Sequence, residues 1–106
     1  MTETAEILDR LAAVLRERKS ADAGSSYVAS LYRKGARKIA QKVGEEAVET
    51  AMAVAADDNT EIVKESADLL FHLMVLLEAR GLSLDDVAAE LARREGLSGL
   101  TEKANR

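Results

Sequence analysis

LLFHLMVLL, residues 69–77, places an apolar side chain at every position except His72. A helix that meets water keeps one face polar, so a helix written this way is covered on nearly every side. No run in the chain reaches the roughly 18 apolar residues that a membrane span requires, so the cover is protein. The lead-in, KESAD at 64–68, sets Glu65 and Asp68 on the turn just before the apolar run. A buried helix therefore begins with a pair of acids. Residues 42–50, KVGEEAVET, carry a matching group, Glu45, Glu46 and Glu49.

The rest of the chain supports helices. There is no proline and there are only three aromatic residues, against 47% hydrophobic residues, in 106 positions. A composition led by Ala, Leu and Val favours helix over strand. Ile7, Leu8, Leu11, Val14 and Leu15 recur at spacings of three and four, which predicts an amphipathic helix over 3–18. ADAGSS at 21–26 is a loop ending in a Ser suited to capping the next helix. Helix then runs from 27 to about 56, with a break or bend expected near Gly35, since each interior glycine costs a helix about 1 kcal/mol. AADDNTE at 55–61 is a turn with N-caps at Asp58 or Asn59, and the next helix continues to residue 80 before Gly81 stops it. Ser83 and Asp86 stand in capping-box spacing at the head of another helix, and the glycine-punctuated tail, about 95–106, is expected to be loosely ordered. The expected fold is all-α: one domain over 1–106, an antiparallel bundle of four to five helices completed by dimerisation.

Composition also limits function. Without cysteine there is no disulfide framework and no thiolate metal site. A net charge of −4 argues against nucleic acid as partner, because that binding neutralises phosphates with a basic surface. The N-terminus lacks an apolar signal core, so a cytoplasmic location is expected.

At ~100° per residue, Glu46 and Glu49 lie about 60° apart on one helix face, and so do Glu65 and Asp68 on the following helix. If the two pairs meet, each like-charge pair at ~6 Å costs about 3 kcal/mol even at an effective dielectric near 20. A hard divalent cation with oxygen ligands removes the conflict, so Mg²⁺ is the expected cofactor, with Mn²⁺ as a substitute. Such i,i+3 acids are more often a solvated helix face than a ligand set; their repetition on consecutive helices, the second entering an apolar run, raises the odds of a site without deciding it.

Lys34, Lys38 and Lys42 step by four and, on one continuous helix, share an arc of about 80° with Glu45 and Glu49. Such a stripe could cradle a polyphosphate, although lysines at this spacing are ordinarily simple solubilising charge. His72, four residues after Asp68, is read as a hydrogen-bonding support for the site rather than a ligand. No phosphate-binding glycine loop is present. Tyr27, Tyr32 and Phe71 are set aside as too few and too scattered for a base-stacking surface.

The blocks SSYVASLYRKGARKIAQKVGEEAVE, ESADLLFHLMVLLEARGLSLDDVAAEL and REGLSGLTEKANR resemble, in order and spacing, the phosphoribosyl-ATP pyrophosphatase family of histidine biosynthesis. The wider group is the MazG-like all-α nucleotide pyrophosphohydrolases, whose EExxE…ExxD signature is matched by Glu45, Glu46, Glu49, Glu65 and Asp68. The resemblance implies hydrolysis of phosphoribosyl-ATP to phosphoribosyl-AMP and pyrophosphate in a helical homodimer or larger assembly, by a Mg-activated water on the α–β phosphoanhydride. It implies Glu46, Glu49, Glu65 and Asp68 as metal ligands, Glu45 as a further ligand or the group orienting the water, and Lys34, Lys38 and Lys42 as phosphate contacts. The expected form is the stand-alone one, not fused to phosphoribosyl-AMP cyclohydrolase. Two rival readings are a housecleaning nucleoside-triphosphate pyrophosphatase sharing the metal site, and a non-enzymatic helical dimerisation module.

Overall fold

A computed structural model of the chain describes residues 3–97 together with Gly99 and Lys103. Among residues 3–97 five α-helices follow one another: α1 Glu3–Glu17, α2 Tyr27–Lys34, α3 Ala36–Ala55, α4 Asn59–Ala79 and α5 Leu84–Arg93. A single 3-10 turn, Arg18–Ser20, extends α1. Among the described residues there is no strand, and no helix is long and apolar enough to cross a membrane. The expected tail over 95–106 lies mostly outside the described residues.

Local chemistry explains the starts of α2, α4 and α5. Ser26 accepts a hydrogen bond from the Ala29 amide at 3.1 Å to open α2, and Asp58 accepts one from the Glu61 amide at 3.1 Å to open α4. At α5 the capping box forms in full, with the Ser83 amide donating to Asp86 at 2.9 Å. Gly35 separates α2 from α3 with φ 95° and ψ 166°, a backbone conformation essentially restricted to glycine. Gly44, by contrast, is absorbed inside α3.

The chain reverses between α3 and α4 over a short turn in which Asp57 takes a left-handed φ of 57°. Short polar side chains tolerate this conformation better than most. The two long helices form the principal hairpin of the molecule, and α2 and α1 pack on it. Leu15, Leu31, Ile39, Met74 and Val75 make the buried cluster, with Leu8, Leu11, Phe71 and Leu76 half-buried against it.

The helix containing residues 69–77 is only partly enclosed by its own chain. Met74 and Val75 are buried, Leu69, Leu73, Leu76 and Leu77 are half-buried, and Leu70 is exposed. At its C-terminal end the buried Glu78 is gripped by Arg16, whose Nη2 and Nε donate to it at 2.9 and 3.3 Å, with Lys19 3.8 Å away. This bidentate pairing ties α1 to α4. Tyr32 donates its hydroxyl to the Leu15 carbonyl at 2.8 Å and so fixes α2 against the end of α1.

Candidate active site

Glu49 and Glu65 each stand eight residues from Asp57, on opposite arms of the hairpin. A tight antiparallel reversal brings such mirror positions level, and Glu46 lies one turn from Glu49 on the same face. The outcome is a cluster in which one carboxylate oxygen from each of Glu46, Glu49 and Glu65 lies within 4.8 Å of the others. The two acid pairs expected to meet across neighbouring helices thus meet through three of their four members. Asp68 is outside that cluster and exposed, although its charge reaches Glu65.

The electrostatics are those of crowded anions. A hydrogen bond from Glu65 to Glu49, then burial, then the negative charges of Glu49, Glu46 and Asp68 push the Glu65 carboxyl up to about 7. Glu46 is 6% exposed, and its Oε1 faces the Lys42 ammonium at 3.7 Å. The other oxygens, Glu46 Oε2 and Glu65 Oε2, are closed off from solvent with no hydrogen-bond donor. A buried anionic oxygen without a partner is costly, and a shared proton or a cation offsets that cost. Oxygen donors alone, several of them anionic, fit a hard ion such as Mg²⁺ or Mn²⁺. The residues present therefore suit the divalent cation that their pattern implies.

Glu45, next in sequence to Glu46, lies outside the three-carboxylate group. Its Oε2 accepts a hydrogen bond from Gln41 Nε2 at 3.0 Å and its Oε1 lies 3.8 Å from Lys42. Lys42 thus bridges Glu45 and Glu46 at the rim of the acidic site. Lys38 is exposed one turn earlier and donates to Gln41 at 3.4 Å. The continuous lysine stripe needs correction. Lys34 ends α2 on the far side of the Gly35 break, so it shares no helix face with Lys38 and Lys42.

His72 is buried on α4 with both ring nitrogens engaged. The Asp68 carbonyl can only accept, so Nδ1 carries the proton and donates to it at 2.8 Å. In the neutral ring Nε2 then accepts from the Tyr27 hydroxyl at 2.8 Å. With both nitrogens used, His72 supports the backbone at Asp68 instead of offering a ligand atom. Tyr27 also stacks on Phe71, with centroids 6.4 Å apart and planes 16° from parallel. The judgement that these aromatics are scattered is thus overturned for Tyr27 and Phe71, which the packing of α2 on α4 brings together.

The sequence itself has relatives among known proteins. Residues 8–95 match the family described as phosphoribosyl-ATP pyrophosphohydrolase. The chain belongs to the phosphoribosyl-ATP pyrophosphohydrolase family. It is similar to the phosphoribosyl-ATP pyrophosphatase of Erythrobacter litoralis, at 61% identity over 93% of this chain and 95% of that one. It is also similar to the enzymes of that name from Novosphingobium aromaticivorans, at 58% identity over 98% and 97% of the two chains, and Parvibaculum lavamentivorans, at 57% over 100% and 97%. Within this member of the pyrophosphohydrolase family, Gln41 escaped the reading of the sequence, as did the role of Tyr27, which was named there only to be set aside. Gln41 could have been found, because it stands four residues before Glu45 on one helix face. Tyr27 could not, because its partner His72 is 45 residues away.

Proposed function

We propose that the carboxylates of α3 and α4 form the site at which this chain hydrolyses phosphoribosyl-ATP to phosphoribosyl-AMP and pyrophosphate, the histidine-biosynthetic reaction of its family. The observation that carries the assignment of the site is the cluster of Glu46, Glu49 and Glu65, with two buried oxygens lacking any donor. Glu46, Glu49 and Glu65 would hold Mg²⁺, with Asp68 joining from one turn along α4. When bound, the cation supplies positive charge that offsets the phosphate oxygens and makes water a better nucleophile.

The remaining work falls to the chain's own groups. Lys42, already seated between Glu45 and Glu46, presents an ammonium at the rim where a polyphosphate would lie. Lys38 extends that positive edge by one turn, and Lys34 approaches from α2 as a separate contact. Glu45, half-exposed beside Lys42, is the carboxylate outside the cluster that orients the attacking water and takes its proton. Attack on the α–β phosphoanhydride releases pyrophosphate as the leaving group, the step for which in-line positioning and charge neutralisation supply most of the acceleration.

The working unit in this reading is a cytoplasmic homodimer. Val48, Met52 and Val63 on the α3–α4 hairpin are 59, 64 and 69% exposed, an unusual state for apolar residues on the central helices of a small protein. The radius of gyration, 15.8 Å, exceeds the roughly 13 Å of a compact chain of this length, an extended shape that suits packing against a second copy. Turnover of phosphoribosyl-ATP against a panel of ordinary and damaged nucleoside triphosphates tests the substrate. A kcat/KM for phosphoribosyl-ATP at least a hundredfold above every other nucleotide supports the reading, and equal turnover across the panel assigns the housecleaning role instead.

A further inference from the structure

Three rings from two helices form a small cluster about two turns along α4 from Glu65. Tyr27 heads α2, and Phe71 and His72 lie on α4, with the Tyr27–Phe71, Tyr27–His72 and Phe71–His72 centroids 6.4, 5.9 and 5.2 Å apart. His72 meets both neighbours edge-on at 85° and 82°. These are favourable aromatic geometries, and the Tyr27 hydroxyl is pinned as well, at 2.8 Å from the buried His72 Nε2. The ring is thus oriented by three contacts, yet it remains 53% exposed. A tyrosine that served only to anchor α2 would gain by being covered, since aromatic area is the largest apolar contribution a side chain makes.

Its position gives the open ring a use. Along α4 the step from Glu65 to His72 is ~10 Å at 1.5 Å per residue. That separation is of the order that divides the phosphates of a nucleotide from its base. An aromatic face held rigid in advance loses little side-chain freedom on stacking, and stacking accepts a heterocycle through its π-face.

We infer that the open face of the Tyr27 ring, held by Phe71 and His72, receives the purine base of the nucleotide whose phosphates occupy the carboxylate cluster. The inference rests on the reading of the acidic site as a nucleotide pyrophosphohydrolase centre, and it makes Tyr27 a determinant of base recognition.

The test compares Tyr27→Leu, which removes the ring, with Tyr27→Phe, which keeps the ring and removes the hydroxyl, both with Mg²⁺ present. Tyr27→Leu should raise KM for phosphoribosyl-ATP at least tenfold, the effect falling on KM and not on kcat. It should weaken inhibition by AMP by a similar factor, while inhibition by base-free tripolyphosphate stays within twofold. Tyr27→Phe should keep KM within threefold of the parent. Equal losses in the two variants, or equal weakening of AMP and tripolyphosphate, would show that Tyr27 acts by shaping the site and would overturn the inference. A lowered melting temperature with KM unmoved would overturn it too. One readout is independent of turnover. The chain has two tyrosines and no tryptophan, so AMP should quench tyrosine emission saturably, ribose 5-phosphate should not, and Tyr27→Phe should abolish the quench. Saturable quenching in a protein that fails to cleave phosphoribosyl-ATP sinks the pyrophosphohydrolase reading alone, whereas turnover without quenching sinks the stacking role alone.

Discussion

Glu49 and Glu65 meet carboxyl to carboxyl across the α3–α4 hairpin, and Glu65 is held up to about 7 by that contact, by burial and by the surrounding acids. The relationship makes the site a store of electrostatic conflict that a proton or a cation relieves.

The proton gives the first prediction. Glu65 keeps its proton to about 7 in the folded chain and releases it near 4.5 when unfolded. Between those values the folded state binds more protons, so the stability of metal-free protein should fall as pH rises from about 4.5 to about 7 and change little from this group outside that window. Glu65→Gln, which cannot titrate, should flatten that part of the profile. Denaturant midpoints measured with chelator across the window check this, and an unchanged profile in Glu65→Gln contradicts it.

The cation gives the second. Glu49→Gln keeps the shape of the side chain and removes one charge from the cluster, so without metal it should be at least as stable as the parent. Added Mg²⁺ or Mn²⁺ should raise the parent's unfolding free energy by about 2.7 kcal/mol at a hundredfold excess over Kd, and raise that of Glu49→Gln far less. Calorimetric titration checks the same point. An interaction module without a metal site would show no saturable heat in either protein.

Much of this hairpin was legible before folding. Ser26, Asp58 and the Ser83–Asp86 box announce helix starts through chemistry confined to three or four residues. The acids at i,i+3 on successive helices were visible for the same reason, because a helical period places them on one face. What a local reading could not supply was direction. The angle at Gly35 decides whether Lys34 continues the lysine stripe, and its positive φ takes that residue onto a different helix. The Tyr27–His72 bond and the Glu78–Arg16 pair depend on how helices stack, as does the exclusion of Asp68 from the tightest set. No spacing in the chain encodes those contacts.

The two glycines of the 35–44 region should respond oppositely to alanine. At Gly35 an added Cβ meets no atom within 4 Å, so the backbone alone carries the cost, about 1–3 kcal/mol for a residue other than glycine at φ 95°. Gly44 is helical and equally uncrowded, and its replacement should stabilise α3 by about 0.5–1 kcal/mol. Denaturant midpoints of Gly35→Ala and Gly44→Ala measure both signs.

The lysines should separate by role. Lys42→Gln and Lys38→Gln should each lower kcat/KM at least tenfold, about 1.4 kcal/mol of transition-state stabilisation; Lys38→Gln should change stability by only a few tenths of a kcal/mol, and Lys42→Gln should cost more, because it strips the buried Glu46 of its cation. Rising monovalent salt should reduce the parent's kcat/KM more steeply than that of either variant, because screening weakens attraction for a polyanion. Identical kinetics and salt response would return both residues to surface charge.

Assembly follows from the exposed hairpin. Fully burying Val48, Met52 or Val63 against a second copy is worth roughly 1.5–3 kcal/mol each, so Met52→Lys and Val63→Lys should drive the dimer to monomer. Light scattering at micromolar concentration should find the parent dimeric, and a well-folded monomeric parent contradicts the account.

Pyrophosphate release from phosphoribosyl-ATP, followed for the parent and for Glu65→Gln with Mg²⁺ and again after chelation, tests the central claim most directly. The expected result is rapid release by the parent with Mg²⁺, none above background after chelation, and at least a hundredfold loss in Glu65→Gln, about 2.7 kcal/mol of barrier. Release by Glu65→Gln at the parent's rate, or release unaffected by chelation, would show that the carboxylate cluster of α3 and α4 is not where the phosphoanhydride is cut.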